Sequence, residues 1–149
     1  MSLNPNQVRT VTVTLRLLEE RLAEIERIVS EDEQGILYRR VARFTPTQRA
    51  QMNDLIRAMR QQIRRATNAF ELPREEQNAA RHIIGALSMS WESLEEIRPR
   101  KLKSYGEVDP ELKQTLDPIL QRLIRLLFRL EDVAGDKTLT ESTNFDEEV

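Results

Sequence analysis

The chain is predicted to be an all-α protein, an up-down four-helix bundle with coiled-coil-like seams. Three observations predict this. The stretch Asp117–Val133, DPILQRLIRLLFRLEDV, repeats apolar residues at Ile119, Leu123, Leu126, Leu130 and Val133 in alternating steps of four and three. That spacing keeps one helix face pointing one way. Leu120, Ile124, Leu127 and Phe128 widen the stripe beyond what one neighbour covers, so this helix is expected at the centre of a bundle. Three further stretches carry heptad registers of similar length. The composition agrees: 149 residues hold only four glycines, and Ala, Leu, Glu, Arg and Gln, all good helix formers, dominate.

Taken in order, the first helix is expected over Pro5–Val29. Asn4 is placed to cap it, and Pro5 occupies the first helical position, where its missing N–H costs nothing. Val8, Val11, Leu15, Leu18, Leu22, Ile25 and Val29 keep the heptad rhythm without a slip. Three heptads suit a bundle seam better than a long free coiled coil. The register fails after Val29. Ser30 with Glu33 resembles a capping box and Gly35 a break, so the chain turns. Ile36–Phe44 reads as a strap over the bundle or a short helix.

Thr45-Pro46-Thr47-Gln48 is a strong helix start, and the second helix is expected from Pro46 to Phe70. Met52, Ile56, Met59, Ile63, Ala66 and Phe70 form its seam. Leu72-Pro73 ends it and opens a third helix with Glu75 and Glu76 at its positive end. Its seam is Ala80, Ile84, Leu87, Trp91 and Leu94, running to Ile97. Residues 98–108 are expected as a loop, and Asp109-Pro110 starts the last helix. Pro118 is expected to kink or divide it, with Asp117 recapping the chain. The domain is expected to span 1–134, followed by an acidic, flexible tail over 135–149.

Cysteine is absent, which excludes disulfides and thiol chemistry. No apolar run approaches the ~20 residues that span a bilayer, and the N-terminus has no signal-like region. A cytoplasmic protein without membrane association is expected.

Catalytic patterns are missing. His82 falls opposite the third seam and is expected in solvent. There is no glycine-rich phosphate loop and no Glu-x-x-His pair of the carboxylate-bundle kind. Glu19, Glu20, Glu24, Glu26, Glu92, Glu95 and Glu96 lack the paired inward arrangement that would hold Mg²⁺ for a nucleotide phosphohydrolase, and they read as solvated faces. No enzyme, cofactor or metal site is expected, and the phosphohydrolase is the third-ranked reading.

Charge is uneven although the net is only −2. Arg57, Arg60 and Arg64 form a stripe at helical spacing, and Arg98, Arg100, Lys101 and Lys103 cluster in the following loop. In one reading these arginines pair with the acidic first helix and fix which helices are neighbours. In the other they neutralise phosphates as part of a nucleic-acid-binding assembly, with Tyr38, Phe44 and Tyr105 stacking on bases. The acidic tail would then screen the strip.

Some apolar residues fall off the seams. Ile124 and Phe128 on the last helix, and Val13 and Leu17 on the first, point away from the expected interior. The strap or the tail residues Leu139 and Phe145 are one way to cover them; a homodimer is the other. The leading reading is a non-enzymatic interaction or scaffold protein that self-associates, as a homodimer or with another helical protein. The runner-up is the nucleic-acid subunit.

Overall fold

The computed structural model describes residues 2–135. The chain divides into two compact units, one through Glu75 and one from Glu76 onward. The protein is all-α apart from one small ribbon.

The first unit contains α1 (Pro5–Ser30), β1 (Glu33–Gln34), β2 (Arg39–Arg40) and α2 (Pro46–Phe70). Both helices open with the same device. The Asn4 side chain accepts from the Gln7 N–H while Gln7 accepts from the Asn4 N–H, and Thr45 and Gln48 repeat this on α2. Two otherwise orphaned N–H groups are satisfied at each start. The helices pack against one another around Leu22, Val29 and Ile56, all buried. They run antiparallel: Glu26 on α1 pairs with Arg60 at 2.5 Å, and Arg16, earlier on α1, reaches Glu75 beyond the end of α2 at 2.7 Å.

Residues 31–44 differ from expectation. They form neither a strap nor a short helix. β1 and β2 pair antiparallel, Glu33 opposite Arg40 and Gln34 opposite Arg39. The Gly35 N–H donates to the Tyr38 carbonyl at 2.9 Å and closes the turn. A Cβ on Gly35 would meet the Tyr38 ring, so glycine lets that ring lie against the turn. Ser30 and Glu33 form no capping box. Ser30 donates to the Arg27 carbonyl, and Glu33 accepts from Tyr38 Oη and Arg40. Cross-strand partners thus win over local capping. The ribbon is fixed at its base by Asp32, which accepts from the N–H of buried Ala42, and by Arg49, which donates to the Ala42 carbonyl.

The second unit contains α3 (Ala79–Glu96), α4 (Pro99–Leu102), a 3₁₀ turn (Lys103–Tyr105) and α5 (Leu112–Gly135). α3 starts later than the Leu72-Pro73 signal suggests. The side chain of Asn78 accepts from the N–H groups of Ala80 and Arg81. Leucine offers no such acceptor, so the asparagine defines the start. α2 ends where Glu71 takes a left-handed conformation, φ 51°. Residues 98–108 are not simply a loop, because α4 and the 3₁₀ turn occupy most of the stretch.

α3 and α5 are antiparallel neighbours. Gly135 lies beside Ile84, Phe128 beside Trp91 with ring centroids 6.0 Å apart, and Asp117 opposite Arg98 at 3.7 Å. α5 runs unbroken through Pro118 rather than as two helices. Asp117 does not recap the chain, because its carboxylate is turned to Arg98. The contacts that Leu120 and Ile124 make just beyond the proline hold the helix in place of the missing hydrogen bond.

Within the second unit, α5 does not bury the periodic stripe expected to face the bundle interior. α5 packs on α3 and α4 through Leu120, Ile124 and Leu127. Ile119, Leu123, Leu126, Leu130 and Val133 stay 40–52% exposed. The inward face lies one residue on from the periodic stripe, about 100° around the helix. Ile124, expected to point outward, is therefore buried. The tail, with Leu139 and Phe145 and the screening role given to it, lies outside the described residues.

Candidate functional site

Two features stand out among the described residues: a bare apolar helix face and a cationic cleft, both on the second unit.

The apolar face is the periodic stripe of α5. At 1.5 Å per residue it extends about 20 Å. Phe128 and Trp91 continue it at one edge, each still well exposed. Buried residues are few by contrast among the described residues: Leu22, Val29, Ala42, Ile56, Pro99, Leu120, Ile124 and Leu127. The exposed large apolar residues outnumber them severalfold, which is unusual for a monomer whose core is complete. Of the residues expected to mediate self-association, Val13, Leu17 and Phe128 are exposed and Ile124 is not. Val13 and Leu17 stand one turn apart on α1. Ile36 and Leu37, at the tip of the ribbon, are fully exposed.

The cleft, about 680 Å³, forms where α4 and the 3₁₀ turn fold back on the start of α5. Arg98, Arg100 and Lys103 line it as a group. Lys101, grouped with them in the sequence, is not among the lining residues and sits near Glu96 at 3.8 Å. Lys113, which the sequence did not single out, joins them. It belongs to the first turn of α5, and only the returning loop brings it to the others. Arg98 is committed internally: Nε and Nη2 donate to the Glu95 carboxylate at 3.1 and 3.2 Å, and Asp117 stands opposite. The Arg98 hydrogen bonds hold the Glu95 carboxyl below its ordinary range, and the same bonds raise the guanidinium of Arg98.

The other arginine group is also brought together. Arg57, Arg60 and Arg64 line a depression of about 410 Å³ on the first unit, along with Glu26 and Asn53. Arg60 is held by Glu26, and Arg57 bonds to Asp54 at 3.3 Å. Pairing between the acidic α1 and the basic α2 is thus present in one cross-helix bridge. His82 is exposed. Among the described residues no three His, Asp or Glu side chains converge in a metal-binding arrangement. No described helix is long and apolar enough to cross a membrane. No protein-family model, curated protein or solved structure matches this chain.

Proposed function

We propose that this protein is a self-associating helical interaction module whose second unit completes its core against a second copy. The observation that supports this is the α5 face: five aliphatic residues in strict heptad spacing, all outward. A heptad seam that faces no helix of its own unit has the pattern that suits a partner helix. In this reading the up-down four-helix arrangement arises from two α3–α5 hairpins, one per copy, related by a two-fold axis. The charges flanking the seam, Arg122 and Arg129, remain at its rim, where they keep solvent contact.

Leu126 lies at the middle of the stripe and is the residue to test. In a two-fold pair its counterpart meets it near the axis in either helix direction. The wild-type chain is expected to give a dimer mass in light scattering, and Leu126→Asp a monomer. Because the chain has no cysteine, Leu126→Cys provides a second measurement: mild oxidation should join two copies by one disulfide. A monomer mass at every concentration with no cross-link overturns the reading.

The nucleic-acid reading draws less support. Arg60 and Arg98, one in each basic group, are already committed to carboxylates of their own unit. A phosphate would have to compete with those pairs.

A further inference from the structure

The cleft beside α4 combines a volume suited to a small organic ligand with a charge imbalance on its wall. The carboxylates nearest to it are already engaged. Glu95 and Asp117 serve Arg98. Asp109 accepts from the N–H of Glu111 at 2.9 Å and organises the turn into α5. Arg100, Lys103 and Lys113 also line the cleft, and none of them makes an ion pair among the described residues, although Arg100 feels the Glu95 charge. All three side chains are exposed and able to swing toward a guest. The Arg98 pairs do more than neutralise: they tie the end of α3 to α5 and so fix the position of the wall from which the cations project.

The geometry points to a phosphate-binding site here, for a phosphoanhydride or phosphodiester group carried on a ligand about the size of a nucleotide. Three cations lining one cleft suit a ligand with several anionic oxygens. A single carboxylate would neutralise only one of them. The cleft is larger than one phosphate fills, which leaves room beside the anion for the rest of a larger molecule. Lysine fits this role as a mobile point charge, and arginine adds a planar fork that can bind two oxygens.

The source of the phosphate is either a free nucleotide or a nucleic-acid backbone, and binding measurements on the full chain separate them. The probes are tripolyphosphate, ATP and a single-stranded oligouridylate. The variants are Lys103→Gln/Lys113→Gln in the cleft and Lys101→Gln and Arg57→Gln outside it. All are surface changes, and circular dichroism checks that the helices persist. Tripolyphosphate or ATP should bind, weakened at least about tenfold by the cleft pair and unchanged by either control. Oligouridylate binding alone, lost in the same cleft pair, assigns the phosphate to a nucleic-acid backbone and also supports the site. Affinity should fall as salt rises. If no probe binds, or if Lys101→Gln and Arg57→Gln weaken binding as much as the cleft pair, the assignment is overturned. The outcome does not depend on whether two copies associate.

Discussion

The two units solve one problem in different ways. Each is a pair of antiparallel helices, and two helices alone bury little. In the first, the seam read from α1 turns toward α2: Leu22 and Val29 are buried and Val8, Val11, Leu15 and Leu18 half-buried, with Ile25 at the edge, 37% exposed. In the second, the seam of the most apolar stretch of the chain turns away, and a neighbouring stripe makes the internal contact. The difference lies in how many apolar faces the helix has. α1 has one dominant face, so its only useful choice is to bury it. α5 has two adjacent faces, and one neighbour can cover only one.

The largest test of this contrast is truncation at the two internal keystones. Leu120→Ala and Ile56→Ala each remove a buried side chain, 1% and 4% exposed, and each should cost about 2–5 kcal/mol in urea unfolding. The contrast predicts a further difference. If the second unit draws stability from association as proposed, the loss from Leu120→Ala should vary with protein concentration. The loss from Ile56→Ala should not. Equal behaviour of the two variants across a hundredfold dilution would remove the distinction between the units.

Next in size is the helix start of α2. Thr45→Ala removes the acceptor for the Gln48 N–H and should cost about 1 kcal/mol, measured by thermal or urea unfolding of the first unit. This cap was fully legible in the sequence, as were the ends of α1 and α2. Proline at the first helical position with an oxygen-bearing residue before it leaves few alternatives. The start of α3 was misplaced for a related reason: Pro73 signals a helix only if something ahead of it can cap, and Leu72 cannot, whereas Asn78 does.

The facing of α5 was not legible, because heptad spacing reports a stripe and not the neighbour that stripe meets. Ile119 and Leu120 are equally apolar, and only tertiary contact decides between them. The ribbon was invisible for another reason. Its strands are two residues long, too short for any alternating pattern, and they are held by Asp32, Glu33 and Arg49 acting across seven to ten residues. The cationic cleft was half legible. Arg98, Arg100 and Lys103 were grouped by proximity in the chain, while Lys113 joins only through the fold and Lys101 leaves by pairing with Glu96.

A smaller effect concerns pH. Tyr38 donates to the Glu33 carboxylate at 2.8 Å, and this hydrogen bond raises the phenol above its ordinary value of 10.0. The proton is bound more tightly in the folded ribbon than in the unfolded chain. The stabilisation is therefore complete below the unfolded value and disappears as pH rises through the higher folded one. Ultraviolet titration should show Tyr38 ionising at higher pH in the wild-type chain than in Glu33→Gln. Tyr38→Phe should leave the alkaline transition of the ribbon with no late component.

The smallest effect is expected where exposure is greatest. Ile36 and Leu37 make the tip of the ribbon and lose no solvent contact on folding. Replacing both with serine removes apolar area that was never buried, so stability should stay within about 0.5 kcal/mol of wild type. The result sharpens the comparison between the units, because it separates two kinds of exposed apolar residue. On α5 the exposed residues form a continuous stripe beside a packed face, and their polar substitution should change the mass of the assembly. At the tip they project from a turn held by Gly35, Tyr38 and Glu33, and the fold is indifferent to them. If Ile36→Ser/Leu37→Ser lowered the light-scattering mass as Leu126→Asp is expected to do, the contact between copies would run through the ribbon of the first unit, and the surplus face of α5 would need another explanation.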